Sequence, residues 1–275
     1  MRRAASVLAH PATGWGAFFV AILIAWAVLL LMAAEHDPAQ TLGASGLSSG
    51  PLGALSPGYS VELWRALCLT DTGTLSLSSL MGMWAVMSLA MMAPTAVPML
   101  RTYSNVVSNH PKQRFAGFAA LVAGYLSVWC LFAIPAAALQ WVLASRDAIT
   151  PHGVSVSLPL TAGLLAIAGL YQFTSMKEAC VKKCRSPMAF FMSHWRDGIG
   201  GAYRMGLRHG ADCVGCCWAL MLLGFVGGTM NPIWMAGAMV LMIVEKLPQI
   251  GRHVTVPLGL VLLVAAGYVA AQGLV

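Results

Sequence analysis

Charged residues punctuate this chain only at long intervals. After Arg3 the next charge is Glu35, and further charge-free runs cover residues 72–100, 115–145, 148–176, 213–244 and 253–275. Each exceeds the roughly 20 residues that a helix needs to cross a hydrocarbon core. The runs do not alternate apolar and polar side chains at about ten residues per segment, as transmembrane strands do. The pattern predicts an all-α polytopic membrane bundle in a single domain. Its six spans fall at 14–34, 77–100, 116–142, 157–176, 213–242 and 254–274, with an inner polar segment at 177–212. Arg2 and Arg3 precede the first run, but its apolar core is longer than the 7 to 15 residues usual in a signal peptide. It is therefore read as a helix.

Composition strengthens the picture. Only 9% of the 275 residues are charged, 59% are hydrophobic and the mean hydropathy is +0.76. A soluble domain carries about 25% charge. The lipid bilayer is thus the first partner, and a cytosolic enzyme, a nucleic-acid module and a disordered chain are excluded. The net charge of +7 suits anchoring to an anionic leaflet, and no nucleic acid need be invoked.

Lys and Arg set the orientation. With the N-terminus inside, 12 of them fall on the inner side and Arg65, Arg146, Lys246 and Arg252 on the other. Six spans then make both termini cytoplasmic in a bacterial-type inner (plasma) membrane. Glu245 and Lys246 close the fifth span on the outer side. The outer connection, residues 35–71, carries a Gly/Ser-rich turn stretch and a short candidate interfacial helix at 61–69. Residues 187–209, which include Ser193-His194-Trp195-Arg196-Asp197-Gly198, could form an amphipathic helix in the inner headgroups.

Chemistry gathers in the inner segment. Ten of the 25 charges lie between Lys177 and Asp212, and five of seven cysteines, Cys180, Cys184, Cys213, Cys216 and Cys217, lie in the same region with His194 and His209. Cys180 and Cys184 share a helix face at a spacing of four, and His209, Cys213 and Cys217 continue at that interval. The ladder extends to Met205 and Met221. A step of four drifts about 40° around a helix, so one ion can reach only two or three of these groups. Thiolate, imidazole and thioether suit Cu(I), and Cys with His equally suits Zn(II). Against this, cysteine is an ordinary buried small hydrophobe, which is the reading kept for Cys68 and Cys130.

Methionine adds a second signal, 17 in all. Met83, Met87 and Met91 recur every four residues in the second span, and Met235, Met239 and Met242 share a face in the fifth. Such stripes commonly fill cores. Beside the cysteines they read as a thioether site or route, since thioethers bind Cu(I) without losing a proton. Gly224 and Gly228 form a GxxxG, read as close helix packing. No Walker loop, dinucleotide fingerprint, GxSxG or HExxH is present, so enzymatic activity is not the leading reading.

Several strings resemble the DUF2182 family. They are Met91-Met92-Ala93-Pro94-Thr95, Tyr171-Gln172-Phe173-Thr174, Lys183-Cys184-Arg185-Ser186-Pro187, His194-Trp195-Arg196-Asp197-Gly198, His209-Gly210, Cys213-Val214-Gly215-Cys216-Cys217-Trp218 and Glu245-Lys246. The resemblance runs from about Leu80 to Gly251. It implies a metal-binding integral membrane protein and leaves metal, substrate and mechanism open.

The leading expectation is a soft-metal protein that holds, delivers or transports Cu(I). Its ligands would be Cys180, Cys184, His194, His209, Cys213, Cys216 and Cys217, with Met83, Met87 and Met91 as a weaker site. A metal-delivery or membrane-complex partner and an oligomer fit the same reading. Two alternatives stay open: a membrane thiol oxidoreductase pairing Cys180 with Cys184 or Cys213 with Cys216, and a non-catalytic subunit of a larger membrane complex.

Overall fold

The computed structural model describes residues 11–36, 76–107, 111–150 and 152–273. The helices are α1 Pro11–His36, α2 Leu77–Met92, a 3-10 turn Pro94–Ala96, α3 Val97–Val106, α4 Pro111–Ser145, α5 Leu158–Tyr171, α6 Ser175–Arg185, α7 Pro187–His194, α8 Gly198–Met221, α9 Gly224–Gly227, α10 Pro232–Lys246 and α11 Gly251–Gln272. Among the described residues no strand forms; a lone antiparallel bridge, Ile149 with Ser155, closes the turn after α4. Five stretches are long and apolar enough to cross a membrane: Thr13–Ala33, Leu77–Val106, Phe115–Ser145, Gly198–Gly227 and Gly251–Gln272. The pair α5 and α6, bent by 64°, makes a sixth if counted as one span. The all-α polytopic class therefore stands. The outer connection, with its candidate helix at 61–69 and Cys68, lies outside the described residues.

The chain differs from its expected course in two places. The stretch 213–242 is not one span. Gly228 takes φ +97, a conformation that disfavours side chains, and Asn231 accepts hydrogen bonds from the backbone N–H of Ile233 and Trp234. With Pro232 at the first position, this is a strong helix start. Gly224 and Gly228 therefore bracket the four-residue α9, and a Cβ on either would meet atoms of Thr229, Val154, Asn231 and His152 rather than a facing helix. Nor do residues 187–209 form one interfacial helix. The chain turns at Trp195-Arg196-Asp197, Gly198 takes φ +78, and α8 begins there and runs on as a membrane-length helix.

The first break redirects the chain from Pro232 onward. Trp234 donates its indole N–H to the Leu223 carbonyl at 2.8 Å, while Lys246 reaches Cys213. Thus α10 runs antiparallel to the second half of α8 and returns Glu245 and Lys246 to the level of the cysteines. These two residues are not at the opposite end. Gly14 of α1 lies against Phe115 and Phe118 at the start of α4, whereas Gly273 after α11 lies against Leu158 at the start of α5. The start of α1 and the end of α11 are therefore at opposite ends of the bundle, and the same-side arrangement that followed from six spans does not hold.

The crossing of α4 and α8 positions the site. A Cβ on Gly206 of α8 would run into the Leu121 carbonyl and Tyr125 amide of α4, and one on Gly124 would run into the Tyr203 carbonyl. Small residues at such crossings let backbones touch. That approach carries Tyr125 to Cys213. Leu23, Leu131 and Val264 face outward, 67%, 66% and 72% exposed, as lipid-facing positions do.

Candidate metal centre

Helix α8 divides at Asp212. Arg204 and Arg208 on its first half are exposed, while the second half carries no charge. Cys213, Cys216 and Cys217 open that apolar half, and all three are buried. Spacings of three and four put Cys213, Cys216 and Cys217 on one side of α8. Their sulfurs all lie within 4.8 Å of one another, with Cys216 and Cys217 at 3.3 Å. Cys184 of α6 brings its sulfur to 3.9 Å from that of Cys216. The Cys216 thiol donates to the Cys213 carbonyl at 3.1 Å. These sulfurs could hold a soft ion between α6 and α8.

Other helices complete the surroundings. The Tyr125 hydroxyl donates to the Met92 carbonyl at 2.9 Å and stands 3.0 Å from the Cys213 sulfur. Lys246 donates to that sulfur at 3.0 Å and to the Thr95 hydroxyl at 2.8 Å. A buried ammonium requires such acceptors. The 3-10 turn after Met92 presents Thr95, because Pro94 cannot continue α2. Behind this layer Lys177 and Glu245, 1% and 2% exposed, pair at 2.8 Å, and Lys183 pairs with Asp212 at 2.8 Å. Both bridges tie α6 to its neighbours. Tyr171 donates to the Gly215 carbonyl, and Gly215 leaves room for the Cys180 sulfur beside it.

The remaining expected ligands fall at different distances from this cluster. His209 is buried one turn before Cys213, its Nδ1 without a hydrogen-bond partner, and its ring packs on Tyr125 and Phe190. Cys180 is partly exposed. His194 stacks on Phe190 with centroids 5.0 Å apart, so a phenyl ring separates it from His209. Met87 and Met91 line a cavity of about 10 Å³ together with Met221 and Met235. Met83 is buried and is not among the residues lining it. Tyr125, Thr95 and Lys246 were not among the expected ligands, though Met91–Thr95 and Glu245-Lys246 belong to the strings singled out above.

A helical bundle of membrane-spanning character with a buried cysteine cluster is the class that fold and site define. Residues 81–269 match the family model PpoB2, described as a copper chaperone, and the chain belongs to that family. No curated protein and no solved structure matches it.

Proposed function

We propose that this protein binds copper as Cu(I) at Cys213, Cys216 and Cys217, with Cys184 as an additional sulfur, and hands it to a partner. The observation that carries the reading is the three buried cysteine sulfurs within 4.8 Å of one another. Membership of a copper-chaperone family supports copper as the metal, and soft thiolates favour its monovalent state. The motif resemblance to DUF2182 fits the same reading.

Cysteines ligate as thiolates, so loading releases their protons. Two or three thiolates around a monovalent ion leave net negative charge, and the Lys246 ammonium beside Cys213 offsets it. Cys180, partly exposed at the edge, and His209, with its unpartnered nitrogen, flank the cluster as exchange ligands. Replacing one sulfur at a time by a partner's ligand moves the ion without releasing it to water. His194 is left out of this ligand set.

The bundle sits in a bacterial-type inner membrane with the N-terminus cytoplasmic. Arg101, Lys182, Lys183, Arg185, Arg196, Arg204, Arg208 and Arg252 fall in or beside helix segments on the side where α3 ends and α4 begins, against Arg146 after α4, an asymmetry that supports this orientation. The test is elemental analysis of protein purified without chelators, beside a Cys213→Ser, Cys216→Ser, Cys217→Ser variant. Copper is expected in the first and not in the second; equal copper in both, or zinc alone, overturns the reading. A thiol oxidoreductase pairing Cys213 with Cys216, whose sulfurs lie within 4.8 Å of each other, would instead show a reversible disulfide in thiol titration.

A further inference from the structure

The cavity beyond the cysteine cluster is lined by four thioethers from three helices. Met87 and Met91 come from α2, Met221 from the end of α8 and Met235 from α10, and Leu220, Gly224, Thr229, Trp234 and Ala238 complete the wall. All four methionines are buried, each 3% exposed. Met221 follows Cys217 by four residues, so it stands on the same helix face about 6 Å further along the axis. Trp234 and Thr229 mark the side away from the cysteines. Thr229 is 1% exposed and its hydroxyl oxygen has no hydrogen-bond partner. Such an atom is costly to bury.

We propose that Met87, Met91, Met221 and Met235 form a second, thioether-only site for a monovalent soft metal ion. It receives the ion from the cysteine cluster along α8. The inference rests on the reading of Cu(I) as cargo and extends it to a successive site. The chemistry differs in one respect. Thiolates neutralise the ion, whereas four neutral thioethers leave its full positive charge buried without a counter-charge, so the second site is the weaker. Successive weak sites are what movement of an ion through a bundle requires. No bond is made or broken apart from metal–sulfur coordination, and the oxidation state is unchanged. The cavity, about 10 Å³, has room for roughly one water-sized occupant.

The probe is Ag(I), a redox-inert stand-in for Cu(I), titrated into the full chain in detergent. Two classes of site are expected. The variant Met87→Leu, Met91→Leu, Met221→Leu, Met235→Leu should keep the tight class and lose the weaker one, and the retained tight class reports that it is folded. Cys213→Ser, Cys216→Ser, Cys217→Ser should do the reverse. Protein grown on selenomethionine needs no substitution: Ag–Se scattering should appear in X-ray absorption as the weaker class fills. Persistence of the weaker class in the leucine variant, or no Ag–Se scattering at saturation, overturns the thioether site. Absence of a tight class from the unsubstituted chain would count against the cysteine centre, and the thioether site then stands or falls on the Ag–Se scattering.

Discussion

The ammonium of Lys246 lies 3.0 Å from the sulfur of Cys213, although 33 residues separate them in sequence. A turn at Gly228-Thr229-Met230-Asn231 brings α10 back along α8 and so makes the contact. Groups that support metal ligands from behind commonly change affinity by roughly 10–100-fold when removed. Lys246→Met should therefore weaken Cu(I) binding by about that range while the protein still folds. Competition with a Cu(I) chelator measures it, and unchanged affinity would remove Lys246 from the centre.

Tyr125 acts on the same sulfur from α4. Tyr125→Phe removes a hydroxyl that bonds the Met92 carbonyl and costs about 1 kcal/mol of stability. The loss of copper affinity should be smaller than for Lys246→Met, since no charge is removed. The two variants compared in one chelator assay give the order.

The course of the chain was partly legible beforehand. Apolar runs identified the helices because a bilayer excludes charge whatever the helices pack against. Charge-free runs do not register turns, however, and residues 213–242 contain none of the charges by which spans were divided. The turn was written in Gly227-Gly228 and in Asn231-Pro232, a helix break followed by a cap and first-turn proline. Reading those two signals would have returned Lys246 to the cysteines. The pairing of Met87 and Met91 with Met221 and Met235 was not legible, since it depends on three helices meeting. The cysteine group was, because Cys213, Cys216 and Cys217 lie on one helix at spacings that helix geometry fixes.

Close backbone approach predicts a sharp contrast between glycines. Gly206→Leu forces side-chain atoms into the backbone of Leu121 and Tyr125 and should destabilise by about 3 kcal/mol or more. It should also reduce copper content by displacing Tyr125. Gly163→Ala, which meets nothing within 4 Å, should be neutral or slightly stabilising. Thermal unfolding in detergent distinguishes them.

The buried pair Lys177–Glu245 couples α6 to α10. Removing one partner leaves an uncompensated buried charge, so Lys177→Met should cost about 3–5 kcal/mol. The double variant Lys177→Met, Glu245→Leu should recover most of that loss. A double variant as unstable as the single one would mean that packing, not charge, is responsible.

Copper is proposed to sit among the sulfurs of Cys184, Cys213, Cys216 and Cys217. Copper K-edge X-ray absorption on protein carrying one equivalent of copper tests it most directly. The expected spectrum is that of Cu(I) with sulfur as the only first-shell scatterer, abolished in the Cys213→Ser, Cys216→Ser, Cys217→Ser variant. A first shell of nitrogen and oxygen, or a spectrum unchanged by the three substitutions, would contradict it.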